Sequence, residues 1–96
     1  MGGLSVDLDR RLVSRDGLAI KLTPKEFDLL AVLVRHAGRV LTHKQILSQV
    51  WGAAHVEDTQ YLRVLVGQLR AKIEAISAPR LIQTEAGVGY RLCGGE

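Results

Sequence analysis

Leu4, Val6 and Leu8 alternate with Ser5, Asp7 and Asp9, the period-two pattern of a strand with one face buried. A tight turn near Asp9 and Arg10 leads into a second short strand through Val13, and Asp16-Gly17 then carries a strong type I′ hairpin signal. Folding there sets Val13 opposite Ile20, while Leu18, Ile20 and Leu22 alternate with Ala19 and Lys21. The first 22 residues are therefore predicted to form an antiparallel meander with one apolar face.

The period then changes. Thr23 is a helix N-cap, Pro24 takes the first helical position, and Glu26 completes a capping box. Leu22 and Phe27 hold the two places of a hydrophobic staple, and Phe27, Leu30, Ala31 and Val34 follow helical spacing until Gly38 closes the element. Val40 and Leu41 form a short extended link. Thr42-His43-Lys44-Gln45 repeats the capping box, with Leu41 and Ile46 as a second staple, and Trp51-Gly52 stops this short helix. A loop follows from Gly52 to about Glu57.

A third helix is predicted from about Asp58 to Ile76, roughly 28 Å long, with Leu62, Leu65, Val66, Leu69, Ile73 and Ile76 along one stripe. Glu57 and Asp58 lie at its positive dipole end, Arg70 and Lys72 toward the negative one. Pro79 ends the helical stretch. Leu81 to Thr84 and Tyr90 to Cys93 read as two strands joined by a turn carrying Gly87 and Gly89. Two helices joined by a loop and followed by a β-hairpin are the sequence form of a winged helix-turn-helix, whose second helix fits the major groove of duplex DNA.

The outward face of the third helix sharpens that expectation. It carries Gln60, Arg63, Val64, Gly67 and Ala71, with Gln68 beside them, where a merely solvated face would favour Glu and Lys. Arg63 can donate two bonds to a guanine edge or one to a phosphate. Gln60 and Gln68 suit adenine, and Val64 a thymine methyl. Gly67 costs about 1 kcal/mol of helix stability relative to Ala, which is understandable if a backbone must come close to another surface. That surface is a DNA groove or, on the plainer reading, a neighbouring element of the same fold. Trp51 divides similarly between a core residue and an indole N–H reaching a phosphate. Tyr61 and Tyr90 are each expected to place the ring inside and offer the hydroxyl.

A net charge of +3 permits a polyanionic partner without demanding one. With one Trp, two Tyr and one Phe, the core must be aliphatic. The single cysteine, Cys93, allows no internal disulfide and fits a reducing compartment. No apolar run approaches the ~18 residues of a bilayer span, and Asp7 and Asp9 interrupt any signal-peptide pattern, so a soluble, cytoplasmic chain is expected. Met1-Gly2-Gly3 running straight into a strand pattern suggests a piece of a longer protein. Catalysis is not expected. His36, His43 and His55 lack ligand spacing, Cys93 has no base near it in sequence, and Gly87-Val88-Gly89 precedes a strand, unlike a dinucleotide loop. No metal or cofactor is expected either. The rival to DNA binding is a winged helix used for protein contacts alone.

The run Leu22-Thr23-Pro24-Lys25-Glu26-Phe27-Asp28-Leu29-Leu30 resembles the first-helix signature of OmpR/PhoB-type response-regulator output domains. Val40-Leu41-Thr42, Val50-Trp51-Gly52, Leu69-Arg70-Ala71-Lys72 and Gly87-Val88-Gly89-Tyr90-Arg91 resemble its later landmarks, in order and across nearly the whole chain. Tyr61-Leu62-Arg63 with Gly67 and Gln68-Leu69-Arg70 looks most like the KdpE branch, which controls potassium-transport operons. The resemblance implies an α+β fold: a four-stranded N-terminal antiparallel sheet, three helices and a C-terminal β-hairpin wing. It implies a phosphoacceptor receiver domain upstream, and tandem DNA half-sites occupied by a dimer. It implies a loop, here Gly52 to Glu57, that can face RNA polymerase. In such domains the third helix reads the major groove and the wing the minor groove. That brings Thr84 and Gly87 to DNA, with Trp51, Arg70 and Tyr90 at phosphates. One departure stands out: several relatives carry an arginine in the wing turn where this chain has Glu85-Ala86, so no minor-groove arginine is expected there, and Glu85 would mildly repel phosphates.

Overall fold

The computed structural model describes residues 4–52, 59–74 and 81–93. Strands β1 (Leu4–Asp7), β2 (Leu12–Arg15) and β3 (Leu18–Ile20) form the expected meander, with Val6 opposite Val13 and Val13 opposite Ile20. Asp16 and Gly17 both take positive φ (50° and 85°), as the type I′ turn requires. Leu4 and Val13 enter the core, whereas Leu18, beside the turn, is left 76% exposed. The turn before β2 is tied down by Arg11. Its guanidinium meets Asp28 at 3.0 Å and lies 4.5 Å over the Phe27 ring.

Helix α1 (Pro24–Arg35) starts as its capping box dictates: Glu26 N–H donates to Thr23 Oγ1 at 3.2 Å, and Thr23 N–H donates to Glu26 Oε1 at 2.9 Å. Its apolar stripe is wider than the expected Phe27, Leu30, Ala31 and Val34. Leu29, Val32 and Leu33 are buried too, while Val34 is only half-buried. Such all-round burial belongs to a helix at the centre of the core. Helix α2 (His43–Trp51) repeats the reciprocal capping bonds between Thr42 and Gln45. Helix α3 spans Thr59–Ile73 among the described residues and buries Leu62, Leu65, Val66, Leu69 and Ile73. The expected helix ends at Asp58 and Ile76 lie outside the described residues.

Among the described residues the N-terminal sheet has three strands, not the four expected. The short strand β4 (Val40–Thr42) pairs instead with β6 (Gly89–Leu92), which also pairs with β5 (Ile82–Glu85), giving a second sheet in the order β4-β6-β5. The alternating pattern of the first 22 residues holds only three strands, and the 12-residue α1 carries the chain away before β4 begins. The hairpin is thus braced along one edge by the segment that leads into α2. A further bond runs from His43 N–H to the Val88 carbonyl (3.1 Å).

Long-range polar contacts close the fold. Arg15 donates to the Ile73 carbonyl at the end of α3. The Glu74 carboxylate accepts from the backbone N–H groups of Leu81 and Ile82 at 2.9 and 2.8 Å, anchoring the start of β5. Glu26 is 2% exposed and meets Lys72 Nζ at 2.7 Å. Burial alone would raise its pKa. The bond from Lys72, the Thr23 N–H, the Lys72 charge and the Thr23 side chain together outweigh burial and hold it below the ordinary glutamate value.

The unfolded chain therefore takes up this proton first as pH falls. Stability from Glu26 is complete above the unfolded value, about 4.3, and is lost as pH drops through the folded one. Glu26→Gln keeps an acceptor for Thr23 but loses the charge. It should cost about 1–2 kcal/mol near pH 7, the partial exposure of Lys72 moderating the loss. It should also flatten the acid side of a urea-midpoint profile. A variant as acid-sensitive as the parent would place the proton elsewhere.

Candidate nucleic-acid interface

Helix α3 turns its apolar stripe into the core, and its 3.6-residue period fixes what remains outside. Gln60, Arg63, Val64, Gly67, Gln68 and Ala71 are all exposed, Val64 to 50%. Gly67 sits mid-helix, and a Cβ built on it meets nothing within 4 Å. The plainer account of this glycine, close packing of a neighbouring element, therefore finds no atom within 4 Å among the described residues. The space opens outward, where α3 presents a smooth patch of backbone between Arg63 and Ala71.

Gly67→Ala should therefore stabilise the free domain by about 0.5–1 kcal/mol, because alanine is the better helix former. The same methyl should weaken binding to whatever seats against the patch. Thermal melting and duplex titration of one variant test both signs. Unchanged affinity would remove Gly67 from the interface.

On one flank of α3 a cleft of about 400 Å³ separates the helix from the hairpin, lined by Arg63, Gly67, Arg70, Thr84, Gly87, Tyr90 and His43 among others. The hairpin turn is Ala86-Gly87-Val88, with Gly87 at φ +74° and Val88 N–H donating to the Glu85 carbonyl. The cleft thus gathers Arg63, Gly67 and Arg70 from α3 with Thr84, Gly87 and Tyr90 from the hairpin. On the opposite flank a depression of about 540 Å³ holds Gln60, Tyr61, Val64 and Gln68 beside Thr23 and Lys25 of α1's first turn.

Several side chains stand otherwise than expected. The ring of Tyr61 is outside, 59% exposed, because its helical phase falls beyond the buried stripe. It leans on half-buried Trp51, with ring centroids 5.0 Å apart. Lys25 bonds the Val50 carbonyl at 3.0 Å and lies 5.8 Å over the Trp51 ring. Tyr90 is buried as expected (4% exposed), and His43 packs edge-on against it at 5.6 Å.

Arg70 donates from Nε and Nη2 to the Ile82 carbonyl at 3.2 and 2.8 Å, and from Nη2 to Thr84 Oγ1 at 2.7 Å. Glu85 is met by Arg91 at 3.3 Å, and strand alternation puts it on the opposite face of the hairpin from Thr84. The residue nonetheless borders the same cleft as Thr84. His43 was not among the expected site residues. Its place at the start of α2 is legible from Thr42, but its position in the cleft follows from the β4–β6 pairing, which has no local signature.

The loop expected to face a polymerase lies, from 53 to 57, outside the described residues. Among the described residues no helix is long and apolar enough to cross a membrane.

Residues 17–92 match the family model described as "Transcriptional regulatory protein, C terminal". Over 89 residues the chain is 51% identical to the KDP operon transcriptional regulatory protein KdpE of Escherichia coli (strain K12), a match that covers 92% of this chain and 40% of that protein. It is 50% identical over 92 residues to the sensory transduction protein RegX3 of Mycobacterium leprae (strain TN), covering 95% and 46%. Among solved structures, the Klebsiella pneumoniae RstA DNA-binding domain in complex with the RstA box matches with a TM-score of 0.82 at 28% identity, covering 95% of this chain and 91% of that one. The chain spans less than half the length of these two curated relatives. With a winged-helix architecture and a family match over most of its length, this chain belongs to the OmpR/PhoB-type DNA-binding output domains of response regulators, a family of transcriptional regulators and not of enzymes.

Proposed function

We propose that α3 enters the major groove of duplex DNA while the β5–β6 hairpin rests on the flanking backbone. The observation that carries this reading is the open face of α3 around Gly67, bordered by Arg63 and continuous with the hairpin cleft. Arg63, Gln60, Val64 and Gln68 are the base-reading candidates, with Gly67 allowing close approach. Thr84 and Gly87 meet the backbone from the wing, and Tyr61 and Trp51 offer a hydroxyl and an indole N–H to phosphates. Tyr90 supports the wing from within. Likeness to KdpE supports a role at potassium-transport genes, inside a longer bacterial cytoplasmic protein with a receiver domain upstream. The same likeness supports tandem half-sites bound by a dimer, and polymerase contact through the loop from Gly52 to Glu57.

Duplex sites selected from random DNA, titrated at low and moderate salt with the domain and with Arg63→Ala, test the reading. Each phosphate neutralised should contribute about −0.9 to the log–log salt slope. Arg63→Ala should lose ~1–3 kcal/mol at particular base pairs rather than uniformly. A flat salt response would favour a module for protein contacts, and a uniform loss would move Arg63 from bases to backbone.

A further inference from the structure

Arg70 stands at the joint between α3 and the wing, and what it bonds decides how it could serve DNA. A guanidinium grips a phosphate bidentately either side-on, through Nε and Nη2, or end-on, through both Nη groups. Both modes need Nη2. Here Nη2 donates to the Ile82 carbonyl at 2.8 Å and to Thr84 Oγ1 at 2.7 Å, and Nε donates to the same carbonyl at 3.2 Å. The guanidinium carbon also lies 5.9 Å from the centroid of the Tyr90 ring, and Tyr90 is the cross-strand partner of Thr84. Nε and Nη2 are spent inside the protein on β5, the guanidinium lies against the Tyr90 ring of β6, and Nη1 alone is left to donate outward.

We propose that Arg70 is a strut and not a bidentate phosphate clamp: it fixes the wing to the base-reading helix and orients the hydroxyl of Thr84 toward DNA. This rests on the DNA reading above. A threonine hydroxyl has one proton and two lone pairs, and Thr84 accepts the Arg70 bond on one lone pair, so its proton stays free to be donated. Polarised by the guanidinium, that O–H is the stronger donor to a phosphate oxygen. Thr84 is exposed on the cleft side of the wing, where such an oxygen can reach it. Holding wing and helix at one angle before binding also spares the ordering cost that a loose hairpin would incur on the duplex.

The test pairs the free domain with its complex on a duplex selected from random sequence by the parent domain. Arg70→Lys keeps the charge and can still neutralise a phosphate, but it cannot make the fork. Thr84→Val keeps the shape without the hydroxyl, and circular dichroism shows that both variants are folded. In the free domain, Arg70→Lys should lower the amide order parameters of residues 82–92, and the parent's Arg70 Nε–H should be protected from exchange. On the duplex, each variant should bind roughly tenfold more weakly. The double variant should lose little more than either alone, while the salt slope of Arg70→Lys and its base preference stay at parental values. Arg70→Lys binding as tightly as the parent, or losses that multiply in the double variant, would overturn the strut. So would an unprotected Nε–H in the free parent. A free domain that behaves as expected yet shows no salt-dependent duplex binding would overturn the DNA reading, and with it the purpose of the strut.

Discussion

Replacing Gly89 by alanine is expected to destabilise the domain by roughly 3 kcal/mol or more, a larger loss than at the neighbouring turn glycine. A Cβ at this position would lie 1.7 Å from the Leu41 carbonyl oxygen, 2.7 Å from its carbon and 2.9 Å from Thr42 Cα. All three are backbone atoms, so no side chain can swing away. Relief requires β4 and β6 to part, undoing the pairing of Val40 with Arg91, Leu41 with Tyr90 and Thr42 with Gly89. Leu41 and Tyr90 are both buried, so the separation would also open the core. Gly87→Ala is the control. Its φ of +74° is strained for alanine, but nothing lies within 4 Å of the added Cβ, so the cost is conformational alone, about 1–2 kcal/mol. For a domain of this size each kcal/mol moves the melting temperature by about 4–8 °C. Gly89→Ala should therefore melt well over 10 °C below the parent, with Gly87→Ala between them. Equal melting of the two variants would mean that β4 and β6 can separate at little cost.

That Gly89 was legible only as a turn residue shows where local reading ends. Both capping boxes, the Asp16-Gly17 turn and the outward face of α3 are set by neighbours within a few residues, and the folded chain has them as the pattern implies. The same periodicity could have placed Tyr61 outside, since its phase lies beyond Leu62, Leu65 and Leu69. The expectation of an inward ring rested on its hydrophobicity instead. What the pattern does not carry is pairing between distant segments. Leu41 meets Tyr90, Glu26 meets Lys72, and Arg70 meets Ile82 and Thr84 because three helices bring those segments together, and none of these pairs leaves a periodic trace. The fourth strand of the N-terminal sheet came from the family resemblance and not from the pattern of the first 22 residues, and the described residues do not have it. A three-residue extended segment such as Val40–Thr42 is readable as a strand, but its partner is not. At the candidate site the division is the same: the α3 residues were legible from helical phase, the His43–Tyr90 contact was not.

In the whole protein proposed above, inserting five base pairs between tandem half-sites should weaken binding by about 100-fold or more. The apolar stripe of α3 (Leu62, Leu65, Val66, Leu69 and Ile73) is spent on the core, so the base-reading helix offers no seam for a second copy. In the proposed protein the receiver, once phosphorylated, supplies the joining. Two output domains tethered through their receivers bind the second half-site at an effective concentration set by that tether, provided both sites face the same side of the duplex. Half-sites about 10–10.5 base pairs apart satisfy this. Five extra pairs turn one copy through about half a revolution, and the tethered partner can no longer reach. Ten extra pairs restore the face and should recover part of the affinity. The isolated domain, bound one copy at a time, should respond little to either insertion. Titrating both forms on the three spacings separates tethering from local contacts. Full-length affinity undiminished by the five-pair insertion would show that the two copies do not bind side by side on one face.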